Sequence, residues 1–458
     1  MRHIPFRLLP VFLLLAVSAT TRAEDWNQFR GPRCDGVTAI KGLPLTWSAA
    51  ENRLWKRELP GPGTSQPVVW GDRIFVTAFS GYGERRGKGN QPEDQSMRDL
   101  RLHVLCLARD DGKVLWRKDH SPLGPVTPAN SNVMLHGYAS PTPYVDTDRL
   151  YVSFGPAGVF TLDHDGAEQW KMRPGTIAHI WGSAASLVTC GDLLLINASS
   201  EADALIAVDK ATGREVWRTT DGFKTRSKWN RSWSTPMVLP AGDGAKQIVL
   251  LSIGAVYAYD PQDGRTLWSF PTRQGYASNN PTWHGDVLYA VVGSSHGDAV
   301  SWALKLNPAV DRKARVLWKV EDTGANINSA VYHDGYLYWA AFAGGLRPPE
   351  ARGFCCLDAE TRELAYRESP NSKLGRGRGA SIFASTLLAD GRLYYVSQAL
   401  GTWVVEASPE FKVLAHNTLE DDEAWFNASP VPMAGGRLLL RSDWGLHCLG
   451  TADAKETP

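Results

Sequence analysis

Few side chains in this sequence have the type and spacing that catalysis needs. The eleven histidines are scattered, and none forms the His-x-x-x-His pair of a helical metal site. No nucleophile or orienting carboxylate accompanies His136 or His179, so a hydrolase or lyase has little support. We predict no catalytic residue and no metal ligand. Three acidic clusters are interpreted as solvated loops: Glu93-Asp94, Glu201 with Asp203, and residues 420–423.

The N-terminus has the pattern of an export signal. Arg2 and Arg7 precede an apolar run of about 12 residues, and Thr21-Arg22-Ala23 supplies small residues for cleavage. The run is shorter than the roughly 20 residues of a membrane-spanning helix, and no cysteine stands at the cleavage point. We expect a cleaved signal peptide at 1–23, no lipid anchor, no membrane span, and a periplasmic or secreted protein.

The charge balance gives no reason to expect nucleic acid as a partner. The chain has 49 Lys and Arg against 48 Asp and Glu. Nucleic-acid-binding domains usually carry a basic surplus. Beyond the signal peptide, we divide the sequence into an N-terminal extension at 24–49, one repeat domain at 50–450 and a polar tail at 451–458.

A recurring tryptophan defines the repeat domain. The clearest copy runs from Ala207 through Asp209, Thr212 and Gly213 to Trp217. A period of about 45–50 residues is typical of propeller blades. The recurring position is held by Trp55, Trp116, Trp170, Trp217, Trp268 and Trp318, and by Tyr366 in the sixth unit. We expect these aromatic residues to pack between adjacent blades.

Each unit opens with a polar residue, usually followed by proline, and continues through Asp/Gly turns and β-branched or aromatic strands. Eight openings are counted: Gln66-Pro67, Ser140-Pro141, Ser183-Ala184, Thr235-Pro236, Asn280-Pro281, Ser329-Ala330, Ser381-Ile382 and Ser429-Pro430. The last unit lacks its Trp strand, whereas the strand at Trp55 precedes the first opening. We therefore predict an all-β, eight-bladed propeller of four-stranded antiparallel blades, closed by pairing of the N-terminal Trp strand with the C-terminal blade.

The cysteines fit packing better than a disulfide framework. Cys106, Cys356 and Cys448 occupy the repeat position that Ala207 and Ala258 hold elsewhere. Cysteine behaves there as a small hydrophobic residue. Whether Cys356 pairs with its neighbour Cys355 stays open.

The pattern at 207–217 resembles the repeat of the PQQ-like β-propellers, which include quinoprotein alcohol dehydrogenases and the assembly factor BamB. The likeness covers roughly 50–450. The opening Asp25-Trp26-Asn27-Gln28-Phe29-Arg30-Gly31-Pro32 is also similar to the start of exported planctomycete-type members. Because the motif is a packing device, the resemblance implies the fold and leaves function open between enzymes and scaffolds.

The resemblance raises the question of a quinone. In quinoproteins the quinone is held with calcium, an Asp base, a Trp below and a vicinal disulfide above. Cys355-Cys356 has the right spacing, but it reads as part of a strand, where neighbouring side chains point to opposite faces. We expect no cofactor, and PQQ with calcium is the alternative. The corresponding functions are a non-catalytic binding or scaffold module, and a PQQ-dependent oxidoreductase acting on an alcohol or sugar.

Propellers bind ligands where loops enter the innermost strands. The proline slot is the second residue of each blade opening, whether or not it is proline. Positions three and five residues before this slot differ between blades and are rich in His, Arg, Tyr and Trp. We predict a monomer that binds a protein, peptide or glycan at this channel mouth through His136, Tyr138, His179, Trp181, Arg231, Trp233, Tyr276, Asn279, Asn326, Arg376, Arg378, Trp425 and Asn427.

Overall fold

The strands of this protein form eight sheets arranged as the blades of a propeller. The structure, a computed structural model, describes residues 25–82, 97–126, 137–179, 181–225, 227, 229–272, 277–294, 297–307, 309, 315–342, 352–376 and 379–451. Within these ranges, helix comprises α1 (Ser199–Ala202), a 3-10 turn at Gly155–Ala157 and the single helical residue Arg315. The predicted all-β, eight-bladed architecture is confirmed. The predicted signal peptide and the tail from 452 onward lie outside the described residues.

Each blade is an antiparallel meander whose first strand faces the central channel and whose last strand lies at the rim. The strands are, for blade 1, β3 (Val68–Trp70), β4 (Arg73–Ser80), β5 (Arg101–Ala108) and β6 (Val114–His120); for blade 2, β7 (Tyr144–Val145), β8 (Leu150–Ser153), β9 (Val159–Leu162) and β10 (Glu168–Met172); for blade 3, β11 (Val188–Cys190), β12 (Leu193–Ala198), β13 (Ala204–Asp209) and β14 (Glu215–Thr219); for blade 4, β15 (Met237–Gly242), β16 (Ala245–Ser252), β17 (Ala255–Tyr259) and β18 (Thr266–Pro271).

The second half of the ring continues in the same order. The strands are, for blade 5, β19 (Thr282–His284), β20 (Val287–Ser294), β21 (Gly297–Lys305) and β22 (Val316–Glu321); for blade 6, β23 (Val331–His333), β24 (Tyr336–Ala340), β25 (Phe354–Asp358) and β26 (Leu364–Glu368); for blade 7, β27 (Leu387–Ala389), β28 (Arg392–Val396), β29 (Thr402–Glu406) and β30 (Val413–Asn417); for blade 8, β31 (Val431–Met433), β32 (Arg437–Arg441), β33 (Gly445–Leu449) and β2 (Arg53–Glu58).

The two ends of the chain meet in blade 8. Strand β2 pairs antiparallel with β33, and Trp55 lies opposite Cys448. The N-terminal strand thus supplies the outer strand that the last unit lacks, as the sequence predicts. This pairing closes the ring without a covalent link.

The hydrophobic core is divided among the interfaces between neighbouring blades. The repeated aromatic residues lie in these interfaces, and several reach the turn of the following blade through the indole nitrogen. Trp170 Nε1 donates to the Lys210 carbonyl at 3.0 Å, and Trp217 Nε1 donates to the Pro261 carbonyl at 2.9 Å. The packed aromatic residues are Trp55, Trp116, Trp170, Trp217, Trp268, Trp318 and Tyr366.

The extension that precedes the first blade runs across the channel. Trp26 bridges Val69 in blade 1, and Asn27 exchanges hydrogen bonds with Val145 in blade 2. A two-residue strand, β1 (Val37–Thr38), then pairs in parallel with β27, so blade 7 has five strands rather than the predicted four. The contacted residues lie at the far end of the inner strands, and the extension therefore closes that end of the channel.

Three blade openings lie later in the sequence than predicted. The first strands of blades 2, 3 and 7 begin at Tyr144, Val188 and Leu387, and the residues that open these blades lie directly before them. Ser140-Pro141, Ser183-Ala184 and Ser381-Ile382 were therefore wrong by two, three and four residues. The actual openings are Thr142-Pro143, Ser186-Leu187 and Ser385-Thr386.

Candidate binding site at the channel mouth

A pit of about 110 Å³ occupies the channel at the end where the inner strands begin. Every blade contributes two residues to its wall, one immediately before the proline slot and one two residues earlier. We call these the lower ring and the upper ring. The lower ring is Gln66, Thr142, Ser186, Thr235, Asn280, Ser329, Ser385 and Ser429; the upper ring is Thr64, Ser140, Ala184, Trp233, Ser278, Ile327, Phe383 and Asn427.

The lower ring ties one blade to the next. The Thr142 amide donates to Ser186 Oγ at 3.0 Å, the Ser186 amide donates to Thr235 Oγ1 at 3.0 Å, and the Thr235 amide donates to Asn280 Oδ1 at 2.9 Å. The same contact links Gln66 to Thr142, Asn280 to Ser329 and Ser385 to Ser429. Because buried amides need acceptors, this position requires a short hydroxyl or amide side chain. That need explains the polar residue at each blade opening.

The extension forms the floor of the pit. Phe29 is half-buried and lines the cavity. Beneath it Arg30 is buried: its main-chain amide donates to Gln66 Oε1 at 3.0 Å, and its guanidinium donates to the Pro281 and Ala330 carbonyls. Arg30 therefore joins blade 1 to blades 5 and 6 on the opposite side of the channel. The channel is a blind pit with one mouth.

The described part of the pit wall carries no charge. None of the described residues that line it is acidic or basic, and none is cysteine or histidine. Small hydroxyl and amide groups share the wall with the partly exposed apolar side chains of Ile327 and Phe383. Such a wall suits an uncharged ligand because an ion would lose its hydration without gaining a counter-ion.

An aromatic cluster borders the mouth on blades 3 and 4. The ring of His179 packs edge-on against Trp233 at 5.1 Å and against Trp181 at 5.9 Å, measured between centroids. Trp233 Nε1 donates to the Gly182 carbonyl at 2.8 Å, which fixes the indole. Trp229 lies beside Trp181, and its side chain is 46% exposed. Exposed and fixed aromatic faces of this kind are common in binding surfaces.

A buried carboxyl lies behind the same part of the wall. Glu201, in α1, accepts a hydrogen bond from Ser183 Oγ, and both line a narrow cleft of about 10 Å³ that shares Ala184 and Trp233 with the pit. Burial raises the pKa of Glu201 to about 7 because desolvation outweighs the Ser183 hydrogen bond. Asp203 follows at positive φ and lies 3.5 Å from Arg231.

Comparisons with known proteins agree with this architecture. The family model described as outer membrane protein assembly factor BamB matches residues 201–324. BamB from Moraxella catarrhalis aligns with a TM-score of 0.57 at 11% identity, over 87% of this chain and 97% of that one. Quinohemoprotein alcohol dehydrogenase from Comamonas testosteroni aligns with a TM-score of 0.61 at 12% identity, over 96% and 82%. No curated protein matches the sequence.

The family-model match and the shared propeller fold support a PQQ-like β-propeller family for this chain. The predicted resemblance is thus confirmed. At these identities the two solved structures establish the fold, and the chemistry must come from the residues of this propeller.

The described residues of this PQQ-like propeller do not fit a bound quinone. Cys355 and Cys356 are adjacent in β25 and both are free: Cys355 packs between blades 5 and 6, whereas Cys356 packs between blades 6 and 7. Across the described ranges no three His, Cys, Asp or Glu side chains converge as metal ligands. PQQ is a polycarboxylate, and the described residues of the pit wall include no cation to pair with it.

The predicted site residues fall into three groups in the propeller. Trp233 and Asn427 line the pit itself. Tyr138, His179, Trp181, Arg231 and Trp425 do not line it. Tyr138 packs edge-on against Phe79, and Trp425 lies beside Gly379.

The remaining predicted residues are buried, remote or outside the described ranges. Asn279 is buried between blades 5 and 6, where its Nδ2 donates to the Val291 carbonyl at 2.7 Å. Asn326 is buried, and its main-chain carbonyl accepts a hydrogen bond from Ser278 Oγ. Arg376 is exposed and does not line the pit. His136, Tyr276 and Arg378 lie outside the described residues.

Sequence reasoning missed Phe29, Ser140, Ala184 and Phe383. The last three were missed because the register of their blades was misplaced. The correct register could be found from the spacing to the first turn of the blade. The lower-ring residue stands five positions before that turn in Gln66/Gly71, Ser186/Gly191 and Ser385/Asp390. Phe29 gave no comparable signal because the extension carries no repeat.

Proposed function

We propose that this PQQ-like propeller is a non-catalytic binding module that takes part of its partner into the channel pit. The observation that carries the proposal is the blind pit, whose described lining residues are uncharged: Phe29 closes it, and all eight blades wall it. Binding sites are typically concave, largely preformed, and mostly apolar with a few fixed polar groups. The lower-ring hydrogen bonds keep this wall in place without a ligand.

The proposal is tested by filling the pit. Ala184 is partly exposed in the upper ring, so Ala184→Phe adds a ring inside the cavity. Ala211→Phe is the matched control, because Ala211 is exposed in a turn of blade 3. Both variants and the parent protein are applied to arrays of defined glycans and peptides. We expect binders whose signal is lost in Ala184→Phe and kept in Ala211→Phe; binders insensitive to both would place the site elsewhere.

A quinone-dependent oxidoreductase is the competing function. Purified protein is incubated with PQQ and calcium, and the absorbance spectrum and dye-linked alcohol oxidation are recorded. We expect neither a bound quinone band nor turnover. A stoichiometric band with turnover would replace the binding proposal.

We further propose export to the periplasm or the exterior, and a monomeric state. The support for export is the charged, apolar and small-residue pattern of residues 1–23. N-terminal sequencing of the protein from the exported fraction should start near Glu24, and light scattering should give the mass of one chain. A start at Met1, or a dimer mass, would contradict the respective statement.

A further inference from the structure

We propose that the channel pit binds one uncharged sugar unit of a glycan. This inference rests on the proposed function, namely that the pit is the binding site, and it names the ligand class. Three properties of the pit lead to it: the absence of charge among its described lining residues, the separation of polar and apolar wall residues, and its size.

The charge of the wall selects against ionic ligands. A carboxylate, sulfate or ammonium group in the pit would be surrounded by hydroxyls, amides and hydrocarbon, and the described lining provides no opposite charge. Such a group loses hydration that hydrogen bonds alone do not restore. The ion pair between Asp203 and Arg231, 3.5 Å apart, lies outside the lining.

The upper ring is polar on one side and apolar on the other. Asn427, Thr64 and Ser140 come from the consecutive blades 8, 1 and 2, and Thr64 Oγ1 donates to Ser140 Oγ at 3.1 Å. On blades 3, 4, 6 and 7 the upper ring is apolar: Ala184, Trp233, Ile327 and Phe383. Ser278 on blade 5 lies between them, and its hydroxyl already donates to the Asn326 carbonyl at 3.0 Å. A pyranose ring has the same division, because hydroxyls project from its edge while its C–H bonds form an apolar face.

The polar side keeps hydrogen-bonding capacity for such hydroxyls. Asn427 Oδ1 accepts from Gln398 Nε2 at 2.9 Å, and its Nδ2 donates to Asp443 Oδ1 at 3.1 Å. A side-chain amide can make four hydrogen bonds, so these two orient Asn427 and leave one donor and one acceptor position. The apolar side is equally fixed, because the Trp233 indole is held by Gly182.

The volume favours one unit rather than a long chain. The space inside the mouth is about 110 Å³, below the roughly 300–1,000 Å³ of typical small-molecule sites, so the pit takes a single unit at its open mouth and no more. Phe29 blocks passage through the propeller, so the ligand enters by an end or a branch rather than threading the channel. The uncharged wall disfavours a charged peptide terminus. An uncharged peptide segment remains the competing ligand, and the experiment compares it with the sugar.

The experiment compares three probe classes by isothermal titration at neutral pH. They are neutral trisaccharides (cellotriose, xylotriose, maltotriose and galactotriose), the uronic-acid counterpart trigalacturonate, and tripeptides acetylated and amidated at their ends. We expect one neutral sugar to bind at least tenfold more tightly than trigalacturonate and the peptides. Phe383→Ala should weaken that binding about tenfold, Ala184→Phe should abolish it, and Ala211→Phe should leave it unchanged.

The outcomes separate the two proposals. Binding of a peptide or of trigalacturonate that Ala184→Phe abolishes would overturn the sugar and keep the pit as the site. Sugar binding that Ala184→Phe leaves intact would overturn the pit. Absence of binding in every class, with all variants folded by circular dichroism, would overturn this inference; the array experiment with Ala184→Phe then decides the proposed function.

Discussion

Trp170 in blade 2 occupies the space where a side chain on Gly213 in blade 3 would begin. A Cβ at Gly213 would lie 2.5 Å from Trp170 Cε3, and the same indole donates to the Lys210 carbonyl in that turn. Trp55 meets Gly112 and Trp217 meets Gly264 in the same way. The Gly and the Trp of the repeat therefore serve different interfaces: each blade's glycine receives the tryptophan of the blade before it.

This relationship predicts the cost of a methyl group at Gly213. Gly213→Ala and Gly191→Ala both place alanine at positive φ, +72° and +60°, which costs about 1–2 kcal/mol. Only Gly213→Ala also meets the indole, since no atom lies within 4 Å of a Cβ at Gly191. We expect urea unfolding to give a further loss of about 1–3 kcal/mol for Gly213→Ala, as for overpacking. Equal losses in the two variants would show that the contact does not constrain the interface.

The sequence predicted the features that repeat and mispredicted those that do not. The Gly-to-Trp step recurs, so the number of blades and the closure at Trp55 could be inferred from it. In blade 2 both Ser140-Pro141 and Thr142-Pro143 fit the pattern of a polar opening. Because Ser140-Pro141 was chosen, the residues expected to line the channel were displaced by two positions. The sequence of one blade alone does not distinguish these two openings, whereas the lower-ring hydrogen bonds between neighbouring blades identify Thr142.

The floor of the pit could not be predicted for a different reason. Arg30 hydrogen-bonds to blades 5 and 6, more than 250 residues away in sequence, and such contacts leave no local period. The aromatic residues around Trp233 were expected at the mouth because their types are typical of binding surfaces. Glu201 was interpreted as a solvated loop residue, although it is buried, because burial depends on the neighbouring blade.

Arg30 should be among the residues that contribute most to stability. Burial lowers the pKa of Arg30 to about 10, so the side chain remains charged at neutral pH and depends on the carbonyls around it. Arg30→Met keeps much of the volume and leaves those carbonyls without donors, which should cost about 3 kcal/mol in chemical unfolding. Lys41→Met, at an exposed position of the same extension, is the control and should change little. A small loss in Arg30→Met would mean that the extension is not an integral part of the propeller.

Glu201 should make stability depend on pH. Its pKa is about 7 in the folded protein, against an ordinary value of 4.5. Since the folded pKa is the higher one, the folded state holds the proton more tightly. The resulting stabilisation is complete below pH 4.5 and is lost as the pH rises to about 7. The difference corresponds to about 3 kcal/mol.

Glu201→Gln tests this dependence because glutamine mimics the protonated carboxyl. We expect the variant and the parent to have similar unfolding free energies near pH 4.5, and the variant to be more stable by about 3 kcal/mol at pH 8. Glu363→Gln, at an exposed position on blade 6, should follow the parent at every pH. Parallel curves for Glu201→Gln and the parent would contradict the raised pKa.

The cysteines should be unreactive thiols in the folded protein. All six are buried and free, and burial raises the pKa of Cys355 and of Cys356 to about 12. A thiol in that state is not a nucleophile at neutral pH. We expect an aromatic disulfide reagent to label none of them in buffer and all six in guanidinium chloride. Four labelled thiols, with a peptide containing both cysteines 2 Da lighter, would reveal a vicinal disulfide.

Packing variants at Cys356 distinguish a redox role from a structural one. Cys356 lies opposite Tyr366, as Ala207 lies opposite Trp217 and Cys448 opposite Trp55. The position therefore admits a small side chain beneath the aromatic residue. Cys356→Ala should change the unfolding free energy by about 1 kcal/mol or less, whereas Cys356→Leu should cost about 1–3 kcal/mol through overpacking. If the alanine variant were the more damaging of the two, the thiol would have a function that packing does not explain.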